Sequence, residues 1–241
     1  MPYEPRTYWS KRLDEHFSLQ GVGHVAYTDG YNRWLYRAKR DALDKALAGV
    51  GQGPDALDVG SGVGWVVAEL RARGLHVQGC DITDVAVERL TERFPDSRFF
   101  QASVGERPLP CEDDSFDVIT MMDVAYHITD DALWKAAVAD LGRVLRPGGR
   151  LVVTDGMRDE PANPASHVRF RTRAQWTEAA RPAGMEMLGQ GSLYRWLSRD
   201  RGLRGWRRLP DGPRGAVEYA LERLHAGSPH MSWASLEKQP A

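Results

Sequence analysis

The stretch Leu57-Asp58-Val59-Gly60-Ser61-Gly62-Val63-Gly64 decides the fold. An apolar run with one acidic residue ends in three closely spaced glycines, and an apolar helical pattern begins directly after them. That is the sequence form of a β-strand turning sharply into an α-helix, with the turn stripped of side chains so that a ligand can lie against the backbone. In dinucleotide-binding turns of the form G-x-G-x-x-G the third glycine falls five residues after the first. Here the glycines stand at 60, 62 and 64, one residue tighter.

Working outward, residues 55 to about 155 alternate between strand and helix patterns, which predicts a parallel sheet with helices on both faces. Strands are expected at 56–59, 76–80, 98–102, 116–121 and 151–153. Between them, Thr83 or Asp84 caps one helix and Asp130 another, the latter with a buried stripe of Leu133, Ala137, Leu141, Val144 and Leu145. Arg146-Pro147-Gly148-Gly149 breaks that helix. The remainder predicts helices near 172–183 and 216–224 and strands near 185–188 and 230–236, completing seven strands.

Residues 1–52 are expected to form an N-terminal helical lid, and residues 53–241 the α/β domain beneath it. In the lid, Tyr31, Trp34, Leu35, Ala38 and Ala42 fall at helical spacing, with Asn32, Arg33, Lys39 and Arg40 on the opposite, solvent-facing side. Eight aromatics (Tyr3, Tyr8, Trp9, Phe17, Tyr27, Tyr31, Trp34 and Tyr36) crowd this segment. Most are expected to pack the lid onto the core, and the rest to line an acceptor pocket, with Tyr27 and Tyr31 preferred.

Composition bounds the rest. The 241 residues are 42% hydrophobic with a net charge of −1, so a sizeable core can form and no global field draws the chain to nucleic acid or anionic membrane. No apolar run approaches the roughly 20 residues that span a bilayer, and residues 1–11 lack the apolar core of a signal peptide. Cys80 and Cys111 are too few for a disulfide framework, and the expected compartment is a reducing cytoplasm. Five lysines against twenty-seven arginines suggest a GC-rich bacterial genome.

The motif Asp58-Val59-Gly60-Ser61-Gly62-Val63-Gly64 resembles the E/D-x-G-x-G-x-G signature of class I S-adenosylmethionine-dependent methyltransferases. Two further passages match that class in order: Leu109-Pro110-Cys111-Glu112-Asp113-Asp114-Ser115-Phe116-Asp117-Val118-Ile119, and Leu145-Arg146-Pro147-Gly148-Gly149-Arg150-Leu151. The resemblance covers residues 55–155 well and the flanks poorly. It implies a Rossmann-like, seven-stranded, mostly parallel sheet, S-adenosylmethionine as cofactor and S-adenosylhomocysteine as product. It also implies cofactor contacts from Asp58, Gly60, Ser61, Gly62 and Gly64 at the first turn, Asp81 and Ile82 after strand two, Ser103 and Val104 after strand three, and Met122 and Asp123 after strand four.

Each assignment has a plainer alternative. Asp81 sits where a carboxylate accepts both ribose hydroxyls, or it serves as a turn or capping residue. Asp58 favours the cationic amino-acid part of the cofactor, or its own turn amides satisfy it. Family members often carry an acid at the adenine position; Ser103 stands there instead and implies a weaker contact. His127, in Asp123-Val124-Ala125-Tyr126-His127-Ile128, is the candidate catalytic base, or it hydrogen-bonds the loop backbone. His16 and His24 are weaker candidates. Arg195, Arg199, Arg201, Arg204, Arg207, Arg208 and Arg214 form either an anion-binding run or a solvated loop.

Three functions fit. The first is methyl transfer to an oxygen, nitrogen or carbon of a small-molecule acceptor, with no nucleic-acid, membrane or metal partner and an open oligomeric state. The second is a methyltransferase-like protein that binds the cofactor without transfer, as a cyclase or ligand-binding module. The third, a nicotinamide-dependent oxidoreductase, fits the glycine spacing least.

Overall fold

The computed structural model describes residues 3–23, 27–198, 206, 209–224 and 228–240. In chain order the helices are α1 (Pro5–Glu15), α2 (Leu19–Val22), α3 (Asp29–Ala46), α4 (Trp65–Ala72), α5 (Asp84–Arg93), α6 (Asp131–Val144), α7 (Arg173–Ala180) and α8 (Asp211–Arg223). The strands are β1 (Asp55–Val59), β2 (His76–Asp81), β3 (Phe99–Gln101), β4 (Phe116–Met121), β5 (Leu145–Asp155), β6 (Ala162–Ala165), β7 (Val168–Phe170), β8 (Met185–Tyr194) and β9 (Met231–Lys238).

Seven strands form one sheet in the order β3-β2-β1-β4-β5-β9-β8. β1 to β5 pair in parallel and β9 runs antiparallel to both its neighbours. This is the α/β, Rossmann-like, mostly parallel seven-stranded architecture that the resemblance implied. Side-chain alternation along each strand feeds two cores. Ala56, Val118 and Val152 point into a cluster with α3, α4 and α8 residues such as Leu43, Leu70 and Tyr219. Leu57, Ile119, Leu151 and Val153 point the other way, onto Trp134, Val138 and Leu141 of α6 and Trp176 of α7.

Several expectations are corrected by packing. Helix α3 packs on α8, β8 and β9 and contributes Tyr31, Leu35, Ala42 and Leu43 to the first core. Of the segment expected to be a lid, α1 and α2 supply Trp9, Leu13 and Val22 to the cavity at the carboxyl ends of the strands, and α3 reaches it through Tyr36 and Lys39. With α8 on one side of α3 and α2 on another, the polar face is split: Asn32 at 1% and Lys39 at 5% exposure are buried, whereas Arg33 and Arg40 are exposed as expected. Leu133, expected in a buried stripe, is exposed, because the first turn of α6 overhangs a cavity rim. β5 begins at Leu145: Leu145 pairs with Phe116 and Arg150 with Val118, so Pro147-Gly148-Gly149 bulges out between two paired positions. The β6–β7 hairpin carries no strong period-2 pattern and was not anticipated. No helix of the described residues is long and apolar enough to cross a membrane.

Gly64 opens α4 at φ +76, and a Cβ there would lie 2.5 Å from Leu90 Cδ2 and 2.9 Å from Phe94 Cε2. Gly64→Ala is therefore expected to cost about 1–3 kcal/mol through overpacking and positive-φ strain, measured as a lower denaturant midpoint with an unchanged m-value.

Candidate functional site

Gly60, Gly62 and Gly64 all adopt positive φ, which glycine does without steric cost. The chain thereby folds back on the end of β2. The amides of Gly60 and Ser61 donate to the Cys80 carbonyl at 2.8 and 3.0 Å, and the Gly62 amide donates to Asp81 Oδ2 at 2.8 Å. Asp81 Oδ1 accepts from the Thr83 amide at 2.9 Å and from its hydroxyl at 2.8 Å. Burial raises the Asp81 carboxyl, and these donors oppose that rise. Oδ1 thus has two donors and Oδ2 one, which leaves Oδ2 open to a hydroxyl. Asp81 Oδ2 is thus the carboxylate oxygen with most room for a hydroxyl, while Oδ1 is engaged by Thr83.

Beside this turn lies a cavity of about 340 Å³ at the carboxyl edge of the sheet. Gly60, Ser61, Gly62, Asp81, Ile82, Ser103, Val104, Met122, Asp123 and His127 all line it. Its roof is the lid: Tyr3, Trp9 and Leu13 from the α1 region and Val22 of α2. A Cβ on Gly62 would meet Val22 Cγ1 at 3.1 Å, so α2 sits directly on the glycine turn.

Two first-turn residues do not reach the cavity. Gly64 is walled off by Leu90 and Phe94. Asp58, on the central strand, is 2% exposed; its Oδ1 accepts from Thr120 Oγ1 at 2.7 Å, and Ser61 Oγ donates to its main-chain oxygen at 3.0 Å. Its Oδ2 is buried with no hydrogen-bond partner, and burial pushes the carboxyl up to about 7. Asp58 therefore braces the loop from beneath.

The loop after β4 forms the opposite wall. Asp123, at φ +59, forms a 2.5 Å ion pair with Lys39 Nζ of α3, and Thr154 Oγ1 lies 2.7 Å from its amide and 3.2 Å from its Oδ1. Burial alone would raise the Asp123 carboxyl, but the Lys39 ammonium and hydrogen bonds from Lys39, Tyr126 and Thr154 hold it below the ordinary range. His127 Nδ1 lies 2.7 Å from the His167 carbonyl. A carbonyl only accepts, so Nδ1 carries the proton and Nε2 the lone pair. The imidazole packs edge-on to Trp9 at 4.9 Å and stacks on His167 at 5.7 Å. Burial lowers its pKa to about 4, so it is neutral at physiological pH.

Arg171, which the sequence did not single out, fixes this loop. It is 1% exposed, lies over the Trp134 ring at 4.4 Å, and donates to the carbonyls of Ala125 at 3.2 Å and Ile128 at 2.6 Å and to Asp131 Oδ1 at 3.1 Å. Lys39 and Tyr36 were likewise missed as cavity residues. Their i, i+3 spacing is the signal that places both on one helical face.

The preferred acceptor residues lie elsewhere. Tyr31 is buried against α8, its hydroxyl donating to Glu218 and accepting from the Ser198 amide at 2.8 Å. Tyr27 stacks on it at 4.1 Å, and the Arg214 guanidinium covers both rings at about 5 Å. Neither tyrosine lines the cavity; the phase of α3 turns this end toward α8. His16 is exposed at the end of α1. His24, Arg199, Arg201, Arg204, Arg207 and Arg208 lie outside the described residues. Arg214 pairs with Asp211 at 2.8 Å. Among the described residues no cluster of three or more His, Cys, Asp or Glu could hold a metal.

Residues 57–153 match a family model described as "Methyltransferase domain". A curated protein of Mycolicibacterium smegmatis, named "Probable S-adenosylmethionine-dependent methyltransferase", is 32% identical over 164 residues, covering 65% of this chain and 60% of its own. This chain spans about half to three-fifths the length of the first curated relatives it matches. The structure of Burkholderia thailandensis 1,6-didemethyltoxoflavin-N1-methyltransferase, bound to 1,6-didemethyltoxoflavin and S-adenosylhomocysteine, is 20% identical with a TM-score of 0.59, covering 100% of this chain and 93% of its own. The [4+2]-cyclase SpnF, also 20% identical, has a TM-score of 0.61 and covers 84% of this chain and 80% of its own. At such identities the two structures share the fold.

Two outcomes follow from the loop. Arg171→Met leaves the Ile128 carbonyl without a donor, removes one of the two donors to the Ala125 carbonyl and breaks the pair with Asp131, and is expected to destabilise the fold by about 2 kcal/mol, read from denaturant unfolding. For His127 the folded pKa, about 4, lies below the ordinary 6.5. As pH falls through that window the unfolded chain takes up the proton first, so wild type loses stability from this group between about pH 6.5 and 4. Unfolding of wild type and His127→Gln at a series of pH values should give a stability gap that is constant above pH 7 and shifts in the variant's favour down to pH 4.

Proposed function

We propose that this chain acts as a class I S-adenosylmethionine-dependent methyltransferase, transferring the methyl group of S-adenosylmethionine to a nucleophile on a small molecule. One observation carries the reading: one continuous cleft joins the glycine turn and Asp81 to an aromatic wall supplied by the lid and the loop after β4. Ligands of open α/β sheets sit at this edge, and the roof formed by Tyr3, Trp9 and Val22 favours an acceptor small enough to be enclosed.

The residues present suit the cofactor. Asp81 and Glu106 give the wall acidic character, while Asp58 supports the turn from beneath. Such a surround favours a cationic sulfonium and ammonium. We assign Gly60, Ser61 and Gly62 to backbone contact, Asp81 Oδ2 to a ribose hydroxyl, Ile82, Val104 and Met122 to the flanks of the base and ribose, and Ser103 to the adenine edge. When bound, the cofactor supplies a methyl carbon activated by its sulfonium.

The chain's own part is orientation. His127, neutral with Nδ1 held by the His167 carbonyl, presents Nε2 as a hydrogen-bond acceptor rather than as a strong base. A positioned nucleophile can gain most of its acceleration from alignment. The low basicity of His127 also leaves a second reading, cofactor binding without transfer as in a cyclase-like protein.

Formation of S-adenosylhomocysteine from labelled S-adenosylmethionine across a panel of hydroxyl, amine and carbon-acid acceptors separates the two; tight binding with no turnover on any acceptor favours the second. Asp81→Ala should weaken S-adenosylhomocysteine at least tenfold by calorimetric titration, since it removes a charged acceptor worth about 1.5–3 kcal/mol and also frees Gly62. Wild-type affinity in that variant would remove the assignment of this turn to the nucleoside.

A further inference from the structure

The acceptor wall contains a group that orientation alone does not require. Lys39 reaches from α3 into the cavity, almost wholly buried, and its Nζ bonds Asp123 Oδ2 at 2.5 Å and lies 4.1 Å from the centre of the Tyr36 ring. Tyr126 hydrogen-bonds Asp123. Burying such a cluster is a poor route to stability, because desolvating the ions offsets their attraction. Buried charge at a cavity wall points to ligand recognition instead.

An ammonium has three donors. One goes to Asp123 and one faces the Tyr36 ring, which leaves the third for the cavity. The Asp123 carboxylate, in contrast, already has Lys39, Tyr126 and Thr154 as partners. What this wall offers a ligand is therefore a donor backed by a fixed positive charge. An amine nucleophile would lose the lone pair it needs to that donor. An oxyanion has three lone pairs, so it can accept from Lys39 and still attack. The remaining walls here, Tyr3, Trp9, Tyr36 and His127, suit a flat apolar ring.

Resting on the methyl-transfer reading, we propose that Lys39 selects the acceptor: a phenol or enol on a flat ring, bound as its oxyanion with Nζ–H donating to the oxygen. The hydroxyl proton passes to solvent as the acceptor binds, and the oxygen so exposed is the nucleophile. His127, neutral, receives no net proton in this step.

The test uses 4-nitrophenol, whose phenolate absorbs in the visible, bound to the chain saturated with S-adenosylhomocysteine. That ligand carries a neutral thioether, so stabilisation of the phenolate must come from the protein. The pH titration of the bound phenol should give an apparent pKa at least about one unit, or tenfold, below that of the free phenol. In Lys39→Gln, which removes the positive charge and keeps an N–H donor for Asp123, the depression should vanish. The proposal is overturned if 4-nitrophenol does not bind wild type, binds as the neutral phenol, or is depressed equally in Lys39→Gln. Each of those with intact S-adenosylhomocysteine binding leaves the methyl-transfer reading standing. Failure of wild type to bind S-adenosylhomocysteine overturns both.

Discussion

The hydrogen bond from the Gly62 amide to Asp81 Oδ2 ties the turn after β1 to the end of β2. Without it, a loop with three left-handed glycines has no single shape, since glycine carries the largest entropy cost on ordering. With it, and with the Cys80 carbonyl taking the two preceding amides, the backbone is held in one arrangement open to the cavity. Asp81 can stay buried because protein donors meet it from both sides. The same carboxylate is thus the support of the turn and the group nearest to being a ligand contact, and a substitution there disturbs both.

The parts legible in sequence were those governed by short-range rules. The glycine turn, the Thr83 and Asp130 caps and the alternation of Ala56 with Leu57 or Val152 with Leu151 follow from local conformation and pleat. Ten of the residues expected to form the site do line one cavity, because they stand at the ends of adjacent parallel strands. Lys39 was placed with Arg33 and Arg40 as solvated, since hydropathy alone gives a lysine to water. Only tertiary contact with Asp123, more than eighty positions away, reveals it as buried. Tyr31 failed for the converse reason: its partner Glu218 arrives from the far end of the chain.

The loop after β4 shows how a fold holds an irregular segment near a reaction. Residues 122–130 contain one positive-φ aspartate and a single short 3₁₀ turn, Ala125–His127, so their own backbone bonds cannot fix them. Two buried cations do so from opposite sides, Lys39 from α3 and Arg171 from the end of β7. Arg171 is itself set by Asp155, which accepts from the Arg171 amide at 3.0 Å and from Trp176 Nε1 at 2.9 Å. Its planar fork reaches several carbonyls at once, a task that lysine's single nitrogen could not share.

The lid has a comparable stitch with a different outcome. Arg12 of α1 donates through its guanidinium to the carbonyls of Gly21 and Gly23, on either side of the last residue of α2, and stacks on Trp9. The two helices are thereby joined into one plate. Since Val22 rests on Gly62 and Trp9 on His127, lifting the plate uncovers the nucleotide end and the acceptor end together. Both ends of the cavity are therefore covered by one tied unit and not by two independent loops.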